Sequence, residues 1–244
     1  MEDLRHRLAS VYHARAGHAY RSTPLAPPPE SASGCATDCG SGSCLVSCSN
    51  QKYDPKKYLL TCSPDTCRRI RGLVDKHNEA GGILEPNFET GQLDLVVASN
   101  GDRDSVAIPT GVFQFHTHPN TCKSRKACYF EFPSENDMGL IARDCMSGVL
   151  AHFVFTHGKT YRVSLQPGQR LRYAQQPALI EGVFPHFAEL MNRLQQQAVD
   201  EGIGIMDRLR EEWRREAVAK GFEVQVLDGP EGIRETVRAI APGT

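Results

Sequence analysis

The sequence predicts an α/β protein in which helices flank a mixed β-sheet, and three features support this prediction. Between residues 53 and 170, short apolar runs of strand length alternate with stretches of helical periodicity. Residues 171–244 carry mainly helical stripes. Residues 1–52 are rich in Pro, Ser, Gly and Cys and lack the large apolar side chains that would offset the entropy of ordering. We therefore expect a disordered Cys-rich lead-in, one α/β domain and a mainly helical C-terminal extension.

Helix and strand signals follow one another in order along the α/β domain. Ser63 before Pro64 is typical of a helix start, and apolar spacing predicts a helix over residues 64–77. Ser134 precedes a second predicted helix, over residues 135–146. The remaining apolar runs predict strands at residues 83–84, 93–98, 112–118, 149–156 and 160–165, the last two as a hairpin.

Beyond Pro177 the pattern becomes mostly helical. Apolar stripes at residues 187–194 and 205–217 predict two helices, which either pack on the domain or bind a protein partner. A last strand is expected at residues 222–227 and a short amphipathic helix at residues 233–240.

Charge and hydropathy exclude two classes of partner. The 244 residues carry 28 Lys and Arg against 29 Asp and Glu, a net charge of -1, so nucleic-acid binding is not expected. No apolar run approaches the roughly 20 residues that cross a bilayer. Because the start of the chain also lacks the apolar run of a secretory signal, we expect an intracellular protein of the cytoplasm or nucleus.

Candidate metal ligands lie at the end of one predicted strand and at the start of the next helix. His116 and His118 alternate along a strand, so both side chains lie on one face and could share a metal ion. Ser134 and Asp137 have the spacing of a capping box, whose ordinary structural role is to start a helix. Asp137 could also supply an oxygen ligand, and two His, one Asp and a water are the open arrangement of catalytic zinc.

Hydrolysis at such a metal also needs a general base. Glu79, Glu85 and Glu89 are the carboxylates near the preceding strand, and local chemistry does not rank them decisively. Glu79 directly precedes Ala80-Gly81-Gly82, where small residues allow a close approach of backbone and ligand.

The ordered set of Glu79, His116-Thr-His118-Pro119 and Ser134-x-x-Asp137 resembles the JAMM (MPN-plus) zinc metalloprotease family over about residues 55–166. The resemblance implies a sheet similar to that of cytidine deaminases. It also implies that His116, His118 and Asp137 bind Zn²⁺, that Glu79 is the general base, and that Ser134 hydrogen-bonds the oxyanion. The expected substrates are peptides or isopeptide conjugates of ubiquitin or a ubiquitin-like protein.

The chain departs from the family pattern in a longer segment between the second His and the Ser. This segment, residues 119–133, contains Cys122 and Cys128, for which we consider a second metal site. The N-terminal segment carries a C-x3-C-x4-C-x3-C run formed by Cys35, Cys39, Cys44 and Cys48. These cysteines either bind a metal, have a redox role or have no specific function in a Cys-rich tail. Cys145 is expected in the core, and His152, His157 and His186 are expected to be structural or solvated.

Two other functional classes compete with a metallopeptidase. A non-catalytic MPN-like scaffold would use the C-terminal helices for protein assembly. The hypothesis of a deaminase-like zinc hydrolase is disfavoured, because the sequence lacks the P-C-x-x-C pair of thiolate ligands.

Overall fold

One mixed β-sheet organises the chain in a computed structural model, which describes residues 36–38, 45–47, 56–102, 105–118, 132–201 and 203–239. The predictions made for the four cysteines of the lead-in and for Cys122 and Cys128 fall outside these residues. None of the helices in the described part combines the length and the apolar character that a membrane span requires.

Ten strands are described. They are β1 (Ala36–Asp38), β2 (Leu45–Ser47), β3 (Lys56–Cys62), β4 (Ala80–Asn87), β5 (Gln92–Asn100), β6 (Phe113–Thr117), β7 (Ala151–Phe155), β8 (Thr160–Leu165), β9 (Phe222–Leu227) and β10 (Arg234–Ala239). The first two pair only with each other, and the other eight form one sheet in the order β10-β3-β5-β4-β6-β7-β8-β9. The pairs β3–β5 and β6–β7 are parallel, and the other neighbours are antiparallel.

Helices cover both faces of this sheet. They are α1 (Pro64–Val74), α2 (Glu135–Met146), α3 (Gln169–Gln175), α4 (Ala178–Glu181), α5 (Val183–Glu201) and α6 (Met206–Ala219). Helix α1 packs on one face of the sheet, in a core that includes Phe113, Phe115 and Phe153. Helices α2, α5 and α6 pack in a second core that includes Val154 and Tyr161. Because successive strand residues point to opposite faces, β6 and β7 contribute alternate side chains to the two layers.

Local patterns predicted most elements correctly. Helix α2 and strands β8 and β9 have the predicted bounds, and β7 and β8 form the predicted hairpin. The buried stripes of α5 and α6 pack on this chain's own sheet. Residues beyond 170 also supply both outermost strands, β9 and β10.

The helix predicted at residues 233–240 is wrong, because the chain forms strand β10 there. Ile233, Glu235 and Val237 are buried while the residues between them are exposed, which is the period of a strand. Because Glu235 is charged, its burial is not expected from the sequence, and the strand period was therefore not recognised.

An ion pair across the sheet explains the burial of Glu235. Its carboxylate accepts hydrogen bonds from Arg162 Nε and Nη2 of β8 at 2.5 and 3.0 Å. Strand β10 is at one edge of the sheet and β8 is next to the opposite edge, so the sheet curls until these strands meet. The two side chains are only 13% and 6% exposed, for Arg162 and Glu235 respectively.

We expect Glu235→Gln to lower the free energy of unfolding by about 3 kcal/mol, because it leaves the buried Arg162 guanidinium with only the half-exposed carboxylate of Glu223, at 3.8 Å, as a counter-charge. Urea denaturation measures this loss. The matched control is Glu211→Gln, which removes an exposed partner of Arg214 on α6 and should change little. Equal small effects in both variants would show that the buried pair does not hold the curled sheet together.

Candidate metal centre

Strand β6 orients the two histidines through its apolar neighbours. Phe113 and Phe115 are buried in the core below α1, so the alternate residues Gln114 and His116 face α2. His118 continues this alternation just after the strand, where its N–H donates to the carbonyl of Phe155 at 2.8 Å. The Nε2 atoms of His116 and His118 are 3.1 Å apart.

The first turn of α2 brings a carboxylate to these rings. Ser134 is the N-cap, and its Oγ accepts a hydrogen bond from the N–H of Asp137 at 3.2 Å. In return Asp137 Oδ2 accepts from the N–H and the hydroxyl of Ser134, at 2.6 and 2.8 Å. This capping box confirms the predicted helix start. It also holds the carboxylate in one orientation, with Oδ1 at 3.2 Å from His116 Nε2 and Oδ2 at 3.2 Å from His118 Nε2.

The resulting group of two imidazoles and one carboxylate can bind a metal ion. One ligand atom from each of His116, His118 and Asp137 lies within 4.8 Å of the others. A tetrahedral ion with bonds of about 2.1 Å has ligands about 3.4 Å apart, close to the separations found here. His118 is 18% exposed whereas His116 and Asp137 are almost fully buried, so the group is reached from the His118 side.

The electrostatics of the group favour the ionised form of its acid. Burial acts to raise the pKa of Asp137, but the adjacent His116 and His118 outweigh it and hold that pKa well below its ordinary value. Asp137 is therefore a carboxylate, which is the state that coordinates metals.

Glu79 directly precedes β4, at the end of the sheet where β6 carries the histidines. Strands β4 and β6 are antiparallel with Gly81 opposite His116, and the same register continued by two residues places Glu79 opposite His118. The Ala80 N–H donates to Thr117 Oγ1 at 2.9 Å, which ties this end of β4 to β6. Glu79 is itself buried.

The other two candidate bases lie away from the group. Glu85 is exposed on β4, where it pairs with Asp94 of β5. It lies four residues beyond Gly81, which is about 13 Å along the strand. Glu89 is exposed in the turn that follows the strand. Among the three acids, Glu79 is the one that the register of β4 and β6 places nearest the histidines.

His152 is the site residue that sequence reasoning missed. It is fully buried on β7, and its Nε2 is 2.8 Å from His116 Nδ1. Burial, and then the nearby His116, lower the pKa of His152 well below its ordinary value, so this ring is neutral. No local signal could have identified His152, because its contact with His116 depends on the register between β6 and β7.

The described cysteines form no part of this group. Cys145 is fully buried in the core, as predicted, and burial raises the pKa of its thiol to about 11. Cys62 and Cys67 lie beside the start of α1 with their sulfur atoms 2.8 Å apart, and burial raises the pKa of both thiols.

Comparison of this chain with protein-family models, with curated proteins and with solved structures finds no match.

We expect one Zn²⁺ ion to bind the group formed by His116, His118 and Asp137. The variants Asp137→Asn and His118→Ala should each lose this ion. Calorimetry and zinc content by native mass spectrometry measure this, and circular dichroism verifies folding. At 100 times its dissociation constant, zinc should stabilise the wild type by about 2.7 kcal/mol more than either variant.

The matched control is His157→Ala, since His157 is exposed on the turn between β7 and β8. It should bind zinc like the wild type. Unchanged zinc stoichiometry and affinity in both ligand variants would contradict the assignment.

Proposed function

We propose that the chain is a zinc-dependent isopeptidase or peptidase of JAMM type, which removes ubiquitin or a ubiquitin-like protein from its conjugates. The convergence of His116, His118 and Asp137 is the observation that carries the proposal. The β4–β6 register, continued by two residues, puts Glu79 opposite His118 and supports its role as the base. These are the residues to which the sequence resemblance assigns the metal ligands and the general base. The donor set of two imidazoles and one carboxylate fits zinc and leaves a position for water and substrate.

A bound zinc ion would supply Lewis-acid chemistry, polarising the scissile carbonyl and activating water for attack. The chain's own residues would handle the protons. Glu79 would accept the proton of the attacking water and pass it to the leaving amine, a transfer worth about 10² to 10⁴ in rate. Its position across the sheet from His118 supports this role.

The N-terminus of α2 would stabilise the developing negative charge. The unpaired N–H groups of a helix N-terminus give it a partial positive charge, and Ser134 is the cap of this helix. The Ser134 hydroxyl donates to Asp137 Oδ2 in the structure. Its predicted hydrogen bond to the oxyanion would thus require the hydroxyl to rotate away from Asp137 when substrate binds.

A non-catalytic scaffold is the alternative function. The apolar stripes that suggested a partner surface on the C-terminal helices are buried in the chain's own core, including Phe187, Leu194, Leu209 and Trp213. Those stripes therefore do not favour the alternative, and binding of a protein partner by these helices stays a prediction. Zinc binding without turnover of any ubiquitin-like or peptide substrate would favour the scaffold.

We expect the zinc-loaded wild type to cleave di-ubiquitin, ubiquitin-like conjugates or peptides, and Glu79→Gln to lower kcat by about 10² to 10⁴. Because Glu79 is not among the three ligands, the variant should keep its zinc. Gel-based cleavage assays across the eight ubiquitin linkages and a peptide series measure the activity. Glu85→Gln is the matched control, an exposed acid of the same strand, and should retain full activity. Full activity in Glu79→Gln or in His118→Ala would contradict the mechanism.

A further inference from the structure

A row of buried polar side chains extends behind the metal ligands, on the side away from Asp137. The Nδ1 atom of His116 is 2.8 Å from His152 Nε2, and His152 Nδ1 is 3.4 Å from Gln114 Oε1. Gln114 Nε2 in turn is 3.1 Å from the carbonyl oxygen of Pro109. All three side chains are at most 3% exposed, so water does not compete for these hydrogen bonds.

Strand pairing places the three side chains on one face. Strands β6 and β7 are parallel, with Gln114 directly beside His152. His116 follows Gln114 by two residues and therefore projects to the same side. His152 lies between its two partners and contacts one with each ring nitrogen.

The far end of the row sets the direction of every hydrogen bond in it. A backbone carbonyl only accepts, so the amide nitrogen of Gln114 donates to Pro109. The Gln114 oxygen then faces His152 and accepts from its Nδ1–H.

The same logic continues to the metal ligand. A neutral imidazole has one N–H, so His152 with its proton on Nδ1 presents a bare Nε2. That nitrogen accepts from His116 Nδ1–H. In the neutral state that binds a metal, His116 therefore has a bare Nε2, whose lone pair faces the position between His118 and Asp137.

We infer that Gln114 and His152 are positioning residues that hold His116 in the Nδ1–H tautomer required of a metal ligand. This inference rests on the proposed function, because it takes the group of His116, His118 and Asp137 as the metal site. Metal-binding histidines are commonly oriented by an acceptor on their second nitrogen, and removing that acceptor costs about 10- to 100-fold in metal affinity. Here the acceptor is a second histidine whose own tautomer is set by a glutamine.

The test compares His152→Phe with His152→Gln in the full chain. Phenylalanine fills the space without an acceptor and should weaken zinc binding about 10- to 100-fold in chelator competition. Glutamine offers an oxygen to His116 Nδ1–H and should recover much of this affinity. Phe153→Leu, on the opposite face of the same strand, is the control for a loss of packing. It should lower stability without changing zinc affinity.

Nuclear magnetic resonance of ¹⁵N-histidine-labelled protein reads the tautomer directly, with no metal added. His116 should be protonated on Nδ1 in the wild type and should populate the Nε2–H form in His152→Phe. Gln114→Leu gives a second route if His152→Phe does not fold. It frees His152 to turn its proton toward His116 and should weaken zinc binding about 10-fold.

The outcomes separate this inference from the proposed function. The inference is overturned if His152→Phe keeps the wild-type zinc affinity and the wild-type His116 tautomer. If that variant does not fold, the same result in Gln114→Leu overturns it. Either result would leave the metal site intact. A wild type that binds no zinc at the group would instead overturn the proposed function.

Discussion

The register of three neighbouring strands is the constraint on which the site depends. Gly81 pairs with His116 across β4 and β6, and Gln114 pairs with His152 across β6 and β7. A slip of one residue in β6 would turn His116 into the apolar core and Phe115 toward α2. Because Phe115 is fully buried, the hydrophobic effect disfavours that slip, so the same apolar side chains that form the core also orient the candidate ligand His116.

The second requirement is a buried carboxylate, which is costly to desolvate. Asp137 offsets this cost with two hydrogen bonds from Ser134, with the partial positive charge of the helix N-terminus and with two adjacent imidazoles. His116, His118 and Asp137 are in direct contact, His152 contacts His116 from behind, and of these four side chains only His118 has appreciable exposure. A divalent cation would offset the remaining electrostatic cost of gathering these donors, which is why metal binding and the stability of the fold should be coupled.

Sequence reasoning succeeded where the information is local. The alternation of His116 and His118 and the capping box of Ser134 and Asp137 each span at most four residues, and the structure confirms both. From the residues alone the three candidate acids could not be ranked, because that ranking depends on strand register, and recognising His152 required the pairing of strands far apart in sequence. The error at β10 has the same origin, since Glu235 reads as a solvated residue until Arg162 is brought to it by the curl of the sheet.

Anomalous diffraction at the zinc absorption edge, from crystals of the zinc-loaded chain, tests the central claim most directly. A peak about 2.0 to 2.2 Å from His116 Nε2, from His118 Nε2 and from one carboxylate oxygen of Asp137 is the result expected. In the same map His152 should lie outside the coordination sphere, with its Nε2 at hydrogen-bonding distance from His116 Nδ1. Zinc held only by cysteines, with these three side chains in place and no peak between them, would contradict the account.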